Sequence, residues 1–260
     1  MAKAPPTRLI GGLTFAEISE HVSARSILVL PLGAFEQHGP HLPLDTDMII
    51  AEAVATRLVA RHAAEFDTFQ LPGIAVGLSR EHEWAAGTLS FSISAFTAML
   101  RDLGRSIARA LPSRNLVIVN GHGGNRGILQ NLVYELHGDF GLNVCVIHPL
   151  SLSKVKADGP DIHAGMDETS LMLALAPDRV RLDRAGTGSP LPDEAAVRAM
   201  ILDPGVTWPW SSGDSRLAVS GVTGPAAKAS AAFGERIMES ILGEARPVLQ
   251  QLAAASAGGR

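Results

Sequence analysis

The stretch Ser26-Ile-Leu-Val-Leu-Pro-Leu32 decides the fold class, because every residue after the serine is apolar. A strand with consecutive apolar residues is typical of a parallel sheet that helices cover on both faces. Three more short runs follow: Thr68–Leu78, which passes into a glycine-punctuated loop, Leu116–Val119 and Leu142–Ile147. Segments with helical spacing of apolar residues separate them. This alternation predicts a three-layer α/β/α fold with a mostly parallel central sheet.

Capping signals and apolar periodicity mark the predicted helices. Thr14 and Glu17 have the spacing of a capping box, which predicts a short helix there. A segment from Asp47 to about Ala64 lacks glycine and proline and begins with acidic or capping residues, so it predicts a long helix. The other predicted helices run from near Ser94 to Ala110, from the loop around residue 122 to about His137, through Leu171–Leu175, and from about Ala226 to Ala253.

Composition limits the class of protein. With 260 residues, 46% of them hydrophobic, we predict one domain over residues 1–260, frayed at 1–8 and 254–260. The net charge of −4 and the lack of a basic block argue against nucleic acid or a membrane surface as partner. No secretory signal or bilayer-length apolar stretch occurs, so we expect a cytoplasmic protein. The lone Cys145 is expected to be a buried structural thiol.

A metal site is predicted directly after the first strand. The segment Glu36-Gln-His-Gly-Pro-His-Leu-Pro-Leu-Asp-Thr-Asp47 holds two imidazoles and three carboxylates within twelve positions. Both groups are suitable ligands for zinc, iron or manganese. Glu36 and His38 point to one side of an extended backbone, and Asp47 can reach the same centre after the loop turns back. His41 either contacts this site or orients one of its ligands through a hydrogen bond.

A second polar segment, Asn120-Gly-His-Gly-Gly-Asn-Arg-Gly127, follows the third predicted strand. The carboxyl ends of parallel strands share one edge of the sheet, so we expect His122 to face the crevice that contains Glu36. Gly123 and Gly124 can present backbone amides to a substrate. The glycines also raise the alternative of a nucleotide-binding oxidoreductase, but Arg126 stands where that fingerprint requires its third glycine.

A third segment, His163-Ala-Gly-Met-Asp-Glu-Thr-Ser170, places a histidine and two acids at the start of a predicted helix. The helix dipole favours negative charge there, which accounts for one acid but not for the whole group. We therefore predict functional roles for His163 and Glu168. The remaining histidines, His82 among them, are expected to be ordinary surface or core residues.

The loop Asp203–Pro225 is rich in proline and glycine and carries Trp208 and Trp210. Such a loop is a lid, an oligomer contact or an irregular surface segment, and the sequence leaves these alternatives open. Trp208 is a candidate substrate contact.

The predicted ligands are more numerous than one tetrahedral zinc ion requires. Two divalent ions bridged by a carboxylate such as Asp47 would use them fully. No His-Glu-x-x-His helix and no nucleophile-elbow serine occurs, which argues against a zincin-type protease and a serine hydrolase of that kind. Zinc, iron and manganese remain alternatives for the metal.

The three polar segments resemble the signature segments of the creatininase family of metal-dependent amidohydrolases, over most of the chain. The resemblance implies that fold, a homo-oligomer, and Asp47 as a bridging carboxylate. The implied ligands are Glu36, His38, Asp47 and His122. In creatininase itself a glutamate lies two residues after the ligand histidine, whereas this chain has Gly124. Glu168 is the implied replacement ligand.

The resemblance also implies hydrolysis of an amide by attack of water on its carbonyl. His163 would stabilise the tetrahedral intermediate or deliver a proton to the leaving amine. The chain looks most similar to family members that remove a C-terminal dipeptide from a modified precursor peptide, so a peptide is the expected substrate. A small cyclic amide or a formamide is the alternative. An inert scaffold protein is a further rival, although this chain retains every implied ligand.

Overall fold

The computed structural model describes residues 5–186 and 193–257, with side chains through residue 255. Within these ranges the helices are α1 Phe15–His21, α2 Thr46–Phe66, α3 Ile93–Ala110, α4 Arg126–Phe140, α5 Pro149–Leu152, α6 Met166–Leu175, α7 Glu194–Val197 and α8 Ala231–Ala257. The strands are β1 Ile27–Leu32, β2 Thr68–Gln70, β3 Asn115–Asn120 and β4 Asn143–Ile147. Nothing helical in the described ranges has the length and apolar character needed to span a bilayer.

The strands form one parallel sheet in the order β2-β1-β3-β4. Its two faces pack against separate apolar layers. Ile27 and Val29 face the layer formed mainly by α2, α6 and α8, whereas Leu28 and Leu30 face the layer with α3 and α4. Alternate residues of β1 are thus buried on opposite faces. The predicted three-layer α/β/α fold with a parallel central sheet is confirmed.

Several predicted boundaries shift for local reasons. β2 ends at Gln70 because Pro72, which lacks an N–H, and Gly73 follow closely. The cap of α3 is Ser92, whose side chain accepts a hydrogen bond from the amide of Ala95. The last helix begins at Ala231, since Ala226–Lys228 forms a separate 3-10 turn.

One local prediction holds, and the predicted fraying of the ends finds no support in the described residues. The capping box of Thr14 and Glu17 is present at the start of α1. Parts of the predicted frayed ends, residues 1–4 and 258–260, lie outside the described residues. Of the rest, Arg8 pairs with Asp67 at 2.6 Å, and residues 254–257 belong to α8.

At the carboxyl edge of the sheet, the loops that follow the strands pack closely against one another. A Cβ on Gly121 would lie 2.3 Å from the carbonyl oxygen of Asp47, so only glycine lets the loop after β3 pack against the start of α2. Asn125 then joins three loops. Its amide nitrogen donates to the carbonyl of Gly33 at 3.1 Å, and its carbonyl accepts from the amide of Leu78 at 2.9 Å.

Candidate metal centre

Four of the predicted ligands meet at this edge. The side chains of Glu36, His38, Asp47 and His122 are almost fully buried. His122 Nδ1 lies 3.2 Å from Glu36 Oε1 and 3.2 Å from Asp47 Oδ2, and His38 Nε2 lies 3.2 Å from Asp47 Oδ1. Two loops and the first turn of α2 thus bring imidazole nitrogens and carboxylate oxygens to one centre.

Backbone carbonyls orient the imidazole rings. His38 Nδ1 lies 3.1 Å from the carbonyl oxygen of Glu36, and His122 Nε2 lies 2.6 Å from that of Leu78. A carbonyl oxygen only accepts, so each of these nitrogens carries the proton and donates it. When either ring is in its neutral form, its other nitrogen presents a lone pair on the side of the carboxylates. This is the arrangement that protein ligands of a metal ion adopt.

The donor set fits a divalent cation. Glu36 Oε1 and Oε2 and Asp47 Oδ2 are buried without a hydrogen-bond partner in the described part of the chain. Buried carboxylate oxygens require a counter-charge or hydrogen bonds. Within the described ranges, three groups of ligand atoms lie within 4.8 Å of one another: Glu36 with His38 and Asp47; Glu36 with His82 and His163; and His38 with His163 and Glu168. These groups share members and can hold metal ions at adjacent positions.

The electrostatics of the centre show the same demand for positive charge. Burial raises the pKa of Glu36. Burial also opposes ionisation of Asp47, but His38 and His122 outweigh it and hold the pKa of Asp47 below its usual range. Although burial disfavours charge on His38, Asp47 raises its pKa to about 10. The pKa of His122 is likewise well above its ordinary value because of Glu36 and Asp47. A proton on either ring therefore supplies positive charge beside the carboxylates, as a bound metal ion would.

Glu168 approaches the same centre from the first turn of α6. Its Oε2 accepts a hydrogen bond from the amide of Ala164 at 2.6 Å and lies 3.8 Å from His38 Nε2. Burial and the neighbouring Asp47 raise the pKa of Glu168 to about 7. A carboxyl group with a pKa near neutrality can both accept and release a proton at physiological pH.

His163 lies beside the centre, close to an unpredicted second histidine. Its Nε2 donates to the carbonyl of Gln37 at 2.7 Å, which leaves a lone pair on Nδ1, 3.6 Å from Glu36 Oε1. The ring of His82 stacks on it at 4.0 Å, and His82 Nε2 lies 3.3 Å from Glu36 Oε1. Burial and adjacent histidines lower the pKa of His163 well below its usual value and that of His82 to about 3.

His82, expected to be an ordinary surface or core histidine, is a buried residue that lies beside the centre. It follows β2, and its ring is held by Ser212, whose Oγ lies 2.7 Å from His82 Nδ1. A signal for it exists in the sequence: the loop after β2 opens at the same edge of the sheet as the loops after β1 and β3. His82 lies between Glu81 and Glu83, so its polar neighbourhood was visible as well.

The predicted substrate contacts fall into two groups. Gly123 and Gly124 line a cavity of about 590 Å³ that opens from the centre, together with His122, His163 and Glu168. His41 is buried behind the centre, where its Nε2 lies 2.9 Å from the hydroxyl of Thr169 in α6. Two roles were predicted for His41, contact with the metal site or orientation of one of its ligands. The hydrogen bond to α6, the helix that carries Glu168, favours the second role.

The Trp-containing loop Asp203–Pro225 folds over part of the site. Trp208 is 53% exposed and does not line the cavity, whereas Trp210 does and meets the ring of His82 edge-on at 5.8 Å. Ser212 attaches this loop to the segment after β2, because its hydroxyl accepts a hydrogen bond from Trp84 Nε1 at 2.8 Å. The role predicted for Trp208 therefore has no support from its position.

The fold and the centre define an α/β protein that can hold divalent metal ions at the carboxyl edge of a parallel sheet. The family profile described as creatinine amidohydrolase matches residues 12–248. The chain belongs to the creatininase family.

Relatives within the family act on different amides. The mycofactocin precursor peptide peptidase of Mycobacterium tuberculosis (strain CDC 1551 / Oshkosh) is 40% identical over 245 residues, which cover 90% of this chain and 88% of the relative. Among solved structures, a mutant creatininase of the Zn-Zn type has a TM-score of 0.77 at 26% identity, covering 94% of this chain and 98% of its own. A structure described as creatininase Mn has a TM-score of 0.74 at 29% identity, and the match covers 96% of this chain and 98% of that structure's chain.

Proposed function

We propose that this protein is a metal-dependent peptidase that releases the C-terminal Val-Tyr dipeptide from the modified mycofactocin precursor peptide. The main support for a metal-dependent hydrolase is that carboxylate oxygens of Glu36 and Asp47 are buried without a hydrogen-bond partner in the described part of the chain. They lie next to an open cavity of about 590 Å³. A cavity of this size suits a short peptide segment. The choice of peptide is supported by the 40% identity to the mycobacterial peptidase.

We propose two divalent ions per subunit, zinc or iron, with manganese as an alternative. The ligands are Glu36, His38, Asp47, His122 and Glu168. Asp47 is the natural bridge, because its two oxygens face different histidines: Oδ1 lies 3.2 Å from His38 Nε2 and Oδ2 lies 3.2 Å from His122 Nδ1. The neighbouring His82 and His163 offer two further nitrogens.

A bound divalent ion supplies Lewis-acid polarisation of the amide carbonyl and lowers the pKa of water. The protein supplies proton transfer and orientation. Glu168 would accept the proton of the attacking water and return it to the leaving amine, because it lies in the cavity beside the centre. The backbone amide of Ala164 fixes one of its oxygens for this purpose.

Stabilisation of the oxyanion of the tetrahedral intermediate and delivery of a proton would both require an N–H of His163 that faces the centre. Its neutral ring presents a lone pair at Nδ1, which favours a ligand or acceptor role over the delivery of a proton to the leaving amine. The backbone amides of Gly123 and Gly124, on the cavity wall, are the candidate contacts for the peptide backbone of the substrate.

The second candidate function is hydrolysis of a small cyclic amide or a formamide. The family profile, described as creatinine amidohydrolase, favours it. Gly124 argues against creatinine as the substrate, because the family's creatininase carries a glutamate in this position.

The test compares substrates on one metal-loaded preparation. A precursor-like peptide ending in Val-Tyr, creatinine and a formamide are incubated separately, and the products are identified by mass spectrometry. We expect the peptide to lose Val-Tyr as an intact dipeptide. Hydrolysis of creatinine or the formamide without cleavage of the peptide would assign the second function instead.

The oligomeric state, the cellular location and the partners of the enzyme are proposals as well. We propose a homo-oligomer that acts in the cytoplasm on a peptide, without nucleic acid or membrane as partner. Light scattering after size-exclusion chromatography measures the oligomer, and cell fractionation measures the location. A monomer at micromolar concentration would contradict the first of these.

A further inference from the structure

An unpaired cation lies on the wall of the cavity that contains the candidate metal centre. Arg126 lines this cavity and donates a hydrogen bond to the hydroxyl of Ser151 at 2.5 Å. In the described part of the chain, no carboxylate lies within ion-pair distance of its guanidinium. Four carboxyl side chains also line the wall: Glu81, Asp161, Asp167 and Glu168. A second cation, Lys156, lines it too, and its Nζ donates to the backbone carbonyl of Ser151 at 3.4 Å.

The position of Arg126 is electrostatically unfavourable without an anion. It is the first residue of α4, a helix of 15 residues, where the helix dipole opposes positive charge. Partial burial adds to this cost and lowers the pKa of the guanidinium. An anionic group bound in the cavity would remove both costs, because arginine binds a carboxylate through two parallel N–H donors.

The neighbours of Arg126 provide further donors. Asn120 donates from Nδ2 to His148 Nδ1 at 3.0 Å, so the proton of the neutral His148 ring is on Nε2. Burial and Arg126 lower the pKa of His148 to about 4, which keeps this ring neutral. His148 and Ser151 both line the cavity beside Arg126.

The fold places the guanidinium of Arg126 on the β4 side of the cavity. Arg126 begins α4, four residues after the proposed ligand His122, and its guanidinium reaches Ser151 in α5, which follows β4 at the edge of the sheet. A shift of one to two strands is roughly 5–10 Å. Two residues of extended peptide span roughly 7 Å, so an anchored terminal carboxylate would place the second peptide bond from the end at the centre.

We propose that Arg126, with His148 and Ser151, binds the C-terminal α-carboxylate of the peptide substrate and thereby sets the release of a dipeptide. This inference rests on the proposed peptidase function. It adds a carboxylate subsite on the β4 side of the cavity. Arg126 would be a specificity-determining residue that acts on binding, not on the chemical step.

The test uses the metal-loaded enzyme and two peptides that differ only at the end, Val-Tyr free acid and Val-Tyr amide. We expect the wild type to prefer the acid through a lower KM, by roughly ten- to hundredfold. Arg126→Gln should abolish this preference while leaving the amide unchanged, and Arg126→Lys should retain part of it. Arg105→Gln is the matched control, since Arg105 is exposed and pairs with Asp102.

Two results would overturn the subsite: equal turnover of acid and amide by the wild type, or an equal loss on both peptides in Arg126→Gln. If the wild type cleaves neither peptide, the proposed function fails, and calorimetry with the free dipeptides tests the subsite separately. Tighter binding of Val-Tyr than of its amide, lost in Arg126→Gln, supports the subsite. Equal binding of both dipeptides by the wild type refutes it.

Discussion

Substitution of Gly124 by alanine should weaken metal binding without unfolding the protein. A Cβ at this position would lie 2.4 Å from His122 Nε2 and 2.7 Å from the carbonyl oxygen of Leu78. These two atoms form the 2.6 Å hydrogen bond that orients the His122 ring. The new methyl group therefore enters the contact that fixes one ligand.

The size of the effect follows from these distances. A Cβ at 2.4 Å is on the order of 1 Å closer than van der Waals contact allows, and the backbone carbonyl cannot move away cheaply. The ring of His122 must turn, and its Nδ1 loses its alignment with Glu36 and Asp47. Loss of such an orienting hydrogen bond typically costs 10–100-fold in metal affinity, which is about 1.4–2.8 kcal/mol.

The assay is competition for zinc against a chromophoric chelator, with thermal unfolding of the metal-free protein measured in parallel. Gly123→Ala is the matched control for metal affinity, because a Cβ there meets nothing within 4 Å. Wild-type zinc affinity in Gly124→Ala would refute the reasoning. An equal loss in both variants would refute it too, since backbone stiffening would then explain the effect.

Three further predictions follow from the same geometry. Glu168→Gln should lower kcat roughly 10²- to 10⁴-fold with an unchanged fold, measured by steady-state kinetics and circular dichroism, and near-normal turnover would exclude proton transfer by Glu168. The raised pKa values of His38 and His122 favour protonated rings in the metal-free protein, so uptake of metal should release protons, and apparent affinity should rise with pH. Calorimetry in two buffers of different ionisation enthalpy measures this release, and identical heats would contradict it. Burial raises the pKa of Cys145 to about 11, so iodoacetamide at pH 8 should label the native thiol far more slowly than the denatured one, and equal rates by mass spectrometry would count against burial.

The fold was largely predictable because local pattern and tertiary structure agree. Short apolar runs without polar alternation are typical of strands buried on both faces, and β1 and β3 have that environment. Boundaries were less predictable, since they depend on contacts outside the element. α8 begins at Ala231 after a 3-10 turn, where the hydroxyl of Ser230 accepts a hydrogen bond from the amide of Phe233 at 3.3 Å, a capping signal that the prediction did not use.

The candidate site was predictable where the chemistry is concentrated in sequence. Glu36, His38 and Asp47 come from one segment, and His122 follows another strand, so the rule for carboxyl ends of parallel strands brings them together. His82 was missed because its partners are distant in sequence: Ser212 lies 130 positions away and His163 stacks on it from a third segment.

Gln37 was missed for the same reason. Within the quoted segment it stands between two candidate ligands, yet its role depends on groups that no local pattern reveals. Its side-chain nitrogen lies 3.0 Å from His82 Nδ1, and its backbone carbonyl accepts a hydrogen bond from His163 Nε2 at 2.7 Å. Gln37 therefore connects the loop after β1 to both histidines and holds their rings beside the centre.

The central claim is that a metal-loaded carboxylate–histidine centre cleaves a peptide. The most direct test removes metal with a chelator, measures the remaining metal by mass spectrometry, and follows release of Val-Tyr from a precursor-like peptide before and after metal is restored. The account predicts no turnover in the metal-free protein, recovery with about two ions per subunit, and no recovery in His38→Ala. Full turnover in the metal-free protein or in His38→Ala would contradict it.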